Sequence, residues 1–151
     1  MMILLRDVAE SDLPLFFESQ RDPEAVAMAG VRSRDESAFF AHWRVNIVGD
    51  ARVVKKTILV AGRVAGHVVS WERAGERLVG YWIDKAQWGR GIASEALAAF
   101  VAEHDPARPL FAHVSVTNAA SRRVLEKSGF VPVGEPIADE DGVVDQKMRL
   151  G

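Results

Sequence analysis

The sequence predicts an α+β (α/β mixed) fold on a mixed central sheet, and three features of the chain predict it. Val53 to Val60, Val64 to Trp71 and Leu78 to Ile83 are strand-like apolar runs separated by short glycine turns, the pattern of an antiparallel meander. The third run passes through Gln87-Trp88-Gly89-Arg90-Gly91 into Ile92, Ala93, Ala96, Leu97, Phe100 and Val101, spaced as one helix face. Leu110 to Val114 then reads as a strand, which a right-handed crossover makes parallel to Leu78–Ile83. A meander feeding a strand–loop–helix–strand unit gives a mixed sheet rather than a doubly wound one. The whole chain supplies about six to seven strands and about four helices.

Taken in order, Ile3 to Arg6 is a short strand at or near a sheet edge. Ser11 offers an N-cap to a helix whose apolar stripe is Leu13, Phe16 and Phe17. Arg21-Asp22-Pro23 is a break, and Met28-Ala29-Gly30 reads as a loop or frayed turn. Ser33-x-x-Glu36 is a capping box for a second helix, with Phe39, Phe40 and Trp43 packing on the sheet. Ala61-Gly62-Arg63 and Arg73-Ala74-Gly75-Glu76 are tight turns, while Pro106 and Pro109 bracket the end of the long helix. A helix over 118–128 stops at Gly129, with Phe130 folding back on it. Phe130–Val133 and Val143–Leu150 close the sheet as a hairpin around the acidic loop Asp139–Gly142.

At 151 residues the chain reads as a single domain, 1–151, with room for a real core. A net charge of −2 gives no electrostatic case for a nucleic acid or an anionic membrane as partner. The absence of cysteine excludes a disulfide framework, a thiolate nucleophile and a zinc–cysteine site, and no metal is expected. No apolar run approaches the ~20 residues needed to span a bilayer. The apolar start, Met1 to Leu5, is too short for a signal peptide, so a cytoplasmic protein is expected.

The loop before the long helix carries the chemistry. A strand, a glycine turn and a helix N-terminus bring unpaired N–H groups and the positive end of a helix dipole to one point. Gly89 and Gly91 remove the Cβ atoms that would hold a ligand off the backbone, and Arg90 adds a donor fork for phosphate oxygens. The result is an anion cradle of pyrophosphate size. Turns of this kind are also common in α/β proteins that bind nothing there, and from these residues alone the two readings stand level. Ser94 occupies the third glycine position of a dinucleotide-binding fingerprint, and no Gly-Lys-Ser/Thr follows, so NAD and ATP are disfavoured.

Gln87-Trp88-Gly89-Arg90-Gly91-Ile92-Ala93, between strand and helix, resembles the acetyl-CoA pyrophosphate loop of the GNAT (GCN5-related) N-acetyltransferases. A second segment, Asn118-x-x-Ser121-x-x-Val124-Leu125-x-Lys127-x-Gly129-Phe130, resembles the Rim-type ribosomal-protein N-acetyltransferase branch, as does Ile92-Ala93-Ser94-Glu95-Ala96-Leu97. The motifs cover residues 80–130, while the first 50 residues match only in element order.

The resemblance implies a GNAT-like fold in which Leu78–Ile83 and Leu110–Val114 splay apart and pantetheine fills the gap like an added strand. It implies acetyl-CoA as co-substrate, held by Ile83, Gln87, Trp88, Gly89, Arg90, Gly91, Ile92, Ala93, Asn118, Ser121 and Arg123. The activity implied is acetyl transfer to a primary amine by direct attack in a ternary complex. The acceptor is a protein N-terminus, an amino sugar, a polyamine or another small amine, and the segment between the first two helices usually lines its pocket. Many relatives carry a tyrosine four residues before Gly-Phe as the acid that protonates CoA sulfur. Here that position is Leu125, which cannot donate, and Ser121 is the substitute, directly or through water.

Other roles stay open between chemistry and structure. Asn118 either holds pantetheine or caps its helix, and the basic residues Arg122, Arg123 and Lys127 either meet CoA phosphates or are solvated. Strand alternation sends His67, Val69 and Trp71 to one face and Ser70 and Glu72 to the other. Glu72 is the candidate base through water and His67 has a suitable intrinsic pKa, though either serves equally as a structural or surface residue. Water alone can also carry the amine proton away. Two other functions remain: a non-catalytic acyl-CoA-binding module, and a nucleotide-binding domain using the same loop. The partners expected are acetyl-CoA and an amine, with the chain a monomer or homodimer.

Overall fold

A computed structural model describes residues 2–151. The seven strands are β1 (Ile3–Asp7), β2 (Val54–Val60), β3 (Arg63–Arg73), β4 (Glu76–Ile83), β5 (Leu110–Ser115), β6 (Val131–Ala138) and β7 (Val144–Leu150). They form one sheet in the order β1-β2-β3-β4-β5-β7-β6, so the expected meander holds and β1 is an edge. The five α-helices are α1 (Leu13–Gln20), α2 (Pro23–Ala29), α3 (Glu36–Ala41), α4 (Ile92–Glu103) and α5 (Ala119–Lys127). Among the described residues no helix is long and apolar enough to cross a membrane.

The one parallel contact shapes the molecule. β4 and β5 pair only at Arg77–Leu110 and Leu78–Phe111, and β4 then runs on to Ile83 without β5. β5 meanwhile pairs along all six of its residues with β7, from Leu110–Leu150 to Ser115–Asp145. The splayed parallel pair is therefore present, closed at Leu78 and open beyond it.

Alternation along β3 divides the apolar residues between two cores. Val68 joins Val79, Leu97, Phe100, Leu125 and Phe130 under α4 and α5. Val69 and Trp71 pack on the opposite face against Leu13, Phe16, Phe17, Phe39, Trp43 and Ile47 from α1, α3 and the π-helical turn His42–Val48.

Three local expectations are corrected. Ser11 is not an N-cap: it lies in a 3-10 turn, Glu10–Asp12, and Asp12 is drawn inward to a bidentate pair with Arg6 at 2.7 and 2.8 Å. Thr57 donates to the same buried carboxylate at 2.7 Å. The capping box at Ser33 does not form, because Asp35 accepts the Ala38 N–H at 2.8 Å and starts α3. A carboxylate two residues on is the stronger acceptor for an unpaired helix N–H. Lastly, Asp22-Pro23 is a helix start as well as a break. Asp22 accepts from Glu24 and Ala25 at 2.9 and 3.1 Å, and Pro23 opens α2 through the residues expected to be a loop. Gly30, at φ 69°, ends it.

Candidate active site

The glycine loop joins β4 to α4 at the open end of the gap. Gly89 and Gly91 adopt φ of 77° and 76°, a region that L side chains rarely enter, and no atom lies within 4 Å of where a Cβ would stand on either. Gly91 is the N-cap of α4 and supplies no side-chain acceptor, so the first-turn N–H groups, starting at Ile92 and Ala93, remain open to a ligand. Arg90 donates to Gln87 Oε1 at 2.5 Å, which folds the loop's cation back over its own turn. The Trp88 indole N–H donates to the Ile83 carbonyl at 2.9 Å. A pantetheine amide paired at Ile83 would share that oxygen.

Across the gap, α5 begins at the Asn118 cap. Asn118 Oδ1 accepts the Ser121 N–H at 3.1 Å, so the capping role is the one seen. Ser121 Oγ meets Tyr81 Oη of β4 at 2.5 Å. Burial pushes the Tyr81 phenol up to about 12, with the Ser121 hydrogen bond pulling the other way. Leu125, one turn further along α5, is 1% exposed and belongs to the core. Arg123 is exposed and has no ion-pair partner among the described residues, while Arg122 lies 3.9 Å from Glu126.

On the opposite face of the sheet, a cavity of about 620 Å³ opens between β3, β4, β5 and the β6–β7 hairpin. Trp71, Gly80, His113, Glu135, Asp145 and Lys147 are among the residues that line it. Gly80 lies flat under the Trp71 indole, where a Cβ would stand 3.3 Å from the ring. His113 of β5 is paired in register with Lys147. Desolvation, then Arg73, pushes the His113 imidazole below its ordinary pKa, and Asp145 opposes this. Lys147 is itself bridged to Glu76 at 2.7 Å and lies over the Phe111 ring. Desolvation in turn raises the Asp145 carboxyl.

The structure brings the loop residues, Ile83, Asn118 and Ser121 around one gap, but it does not bring Glu72 there. Glu72 is exposed and stands opposite Arg77, at the closed end of the gap and outside the cavity. His67 is also unsuited to act as a base. Its ring is held between Phe16 and Trp43, each 4.7 Å away, and burial lowers its pKa to about 3. Tyr81 and His113 are the chemically capable residues that sequence reasoning passed over. The parity of His113 within Leu110–Val114 was the available signal, since alternate residues there are apolar and buried.

The comparisons agree with this geometry. Residues 2–131 match the family described as acetyltransferase (GNAT) domain. The fold is similar to that of RimL, a ribosomal-protein alpha-N-acetyltransferase solved with coenzyme A (TM-score 0.79, 20% identity, covering 97% of this chain and 92% of that one). It is similar to a spermidine N-acetyltransferase from Vibrio cholerae solved with CoA and spermine (TM-score 0.80, 14% identity, covering 98% and 94%). An aminoglycoside acetyltransferase in complex with coenzyme A is similar too (TM-score 0.78, 20% identity, covering 97% and 94%). No curated protein matches the sequence. With the match spanning most of the chain and the splayed pair, glycine turn and helix in place, the chain belongs to the GNAT acetyltransferase family.

Proposed function

We propose that the amine acceptor enters the cavity beside Trp71 and Gly80 and attacks an acetyl thioester lying in the β4–β5 gap. Family membership makes the chain an acetyl-CoA-dependent N-acetyltransferase, and the chemistry of the site fits that co-substrate. The carrying observation is the continuity of gap and loop: strand edges that pair with no strand among the described residues run directly into a helix N-terminus without a side-chain cap. Pantetheine amides suit the first, and a pyrophosphate suits the second. Gln87, Trp88, Gly89, Arg90, Gly91, Ile92 and Ala93 hold the phosphates, with Arg123 reaching them from α5, and Ile83 offers its backbone to pantetheine.

The thioester is already activated, so the protein's task is mainly positioning and proton management. An attacking amine must be neutral. His113, kept neutral at physiological pH by its depressed pKa, accepts the amine proton from within the cavity. Ser121, fixed by Asn118, donates a hydrogen bond to the departing sulfur. The acceptor is a primary amine, either a protein N-terminus or a small amine. Nothing favours the non-catalytic acyl-CoA-binding reading.

CoA release from acetyl-CoA, followed with a thiol reagent over a panel of N-terminal peptides, polyamines and amino sugars, tests this function. Amine-dependent release that falls about 100-fold in His113→Gln supports it, the scale expected of one general base. Release that is independent of amine, or unchanged in His113→Gln, refutes the assignment of His113.

A further inference from the structure

We propose that Tyr81 positions the Ser121 hydroxyl so that its hydrogen points at the sulfur of the departing thiolate. This rests on the acetyl-transfer reading above and assigns a residue that reading does not need.

Tyr81 is the only tyrosine of the chain, and it comes from β4 rather than from α5. Its side chain shares a face of β4 with Val79 and Ile83, beyond Leu78, where the pairing with β5 ends. From there it reaches to the first turn of α5, the helix that follows β5. The contact therefore spans the gap from one splayed strand to the element after the other. Tyr81 Oη lies 2.5 Å from Ser121 Oγ and 3.2 Å from the Ser121 carbonyl, which can only accept. With the Ser121 N–H already on Asn118, the residue is held at three atoms.

Hydrogen counting gives the consequence. A phenol has one hydrogen to donate; a serine hydroxyl has one hydrogen and two acceptor lone pairs. When Tyr81 donates to Ser121 Oγ, the serine hydrogen cannot be returned to Tyr81 and turns to another acceptor. Burial keeps the phenol protonated far above neutral pH, so Tyr81 always has its hydrogen to give. As negative charge grows on the sulfur, the serine hydrogen turns toward it while Tyr81 donates to Oγ from behind. Ser121 lies one turn before Leu125 on the same face of α5, nearer the helix start. In the reaction the amine nitrogen bonds to the acetyl carbon and its proton passes to His113. The C–S bond breaks with its electron pair on sulfur. Ser121 stabilises that thiolate by hydrogen bonding, and solvent later protonates it.

The test is a double-mutant cycle in Tyr81→Phe, Ser121→Ala and the pair, with kcat and KM for acetyl-CoA measured separately. Tyr81→Phe keeps the ring and removes one oxygen. Its kcat is expected to fall about 10-fold with KM for acetyl-CoA little changed. Added to Ser121→Ala, it should cost nothing further. Because Tyr81 is the sole tyrosine, fluorotyrosine supplied during expression labels this position alone and keeps both ring and hydroxyl. A change in kcat without a change in KM is expected there, which covers the case in which Tyr81→Phe folds poorly. An undiminished Tyr81→Phe effect in the Ser121→Ala background, or an effect confined to KM, overturns the proposal. Wild-type protein that releases no CoA with any amine would instead remove the acetyl-transfer reading itself, and the proposal with it.

Discussion

Arg77 donates its Nε–H to Asp105 at 2.9 Å, and the residue after Arg77 is the last at which β4 is bonded to β5. The same carboxylate accepts Ser70 Oγ at 2.5 Å and the Ala107 N–H at 3.1 Å. A buried ionic knot thus ties β3, β4 and the segment after α4 together where the gap closes, while the other end of β4 is left open for a ligand.

Asp105→Asn is expected to lower stability by about 3–5 kcal/mol, the cost of breaking a buried ion pair from one side. Burial alone would raise the Asp105 carboxyl, but Ser70, Arg77 and the Ala107 N–H outweigh it and hold the carboxyl below its ordinary 3.8. A depressed folded value means stability that is full above the unfolded pKa and is lost as pH falls through the folded one. Urea midpoints across acidic pH should therefore show a shallower acid loss in the variant.

At the other end of the gap, Gly91→Val places a β-branched residue at φ 76° and a side chain over the exposed N–H groups. KM for acetyl-CoA should rise about 10-fold or more, with KM for the amine nearly unchanged. Steady-state kinetics with each substrate varied separately checks the split.

Gly80→Val reverses that pattern. Its Cβ would stand 3.3 Å from the Trp71 ring, and the two further methyl groups would enter the cavity. Amine KM should rise while calorimetric acetyl-CoA affinity is retained. Equal loss of both would show that the cavity is not the acceptor site.

His67 carries a pH prediction of opposite origin. Its Nδ1 is buried with no hydrogen-bond partner among the described residues, and burial lowers the pKa from 6.5 to about 3. Between those values the unfolded chain binds a proton that the folded one does not, so stability falls as pH drops. His67→Phe should remove this part of the acid loss, seen as a smaller difference between urea midpoints at about pH 7 and about pH 4.5.

The parts of the site legible in the sequence are those written in consecutive residues. Gly89, Gly91 and the apolar stripe of α4 announce strand, turn and helix, and Asn118 with Ser121 announces a helix start. The illegible parts are juxtapositions across the sheet. Tyr81 and Ser121 are 40 residues apart, and Asp12 meets Thr57 across 45. Alternation assigned Glu72 to a face correctly but says nothing of position along a strand, and β3 carries Glu72 to the closed end of the gap. The caps at Ser11 and Ser33 failed for a related reason: each lost to a nearby aspartate, one drawn into a buried ion pair and one a better acceptor.

The most direct measurement is thermal unfolding of the wild type and Gly91→Val with acetyl-CoA, CoA, ATP and NAD side by side. A ligand at 100 times its Kd adds about 2.7 kcal/mol, a shift of roughly 5–11 °C for a domain of this size. Stabilisation of the wild type by the two CoA species alone, reduced in the variant, is the expected result. No shift with CoA, or one as large in Gly91→Val as in the wild type, would contradict the placement of acetyl-CoA on this loop.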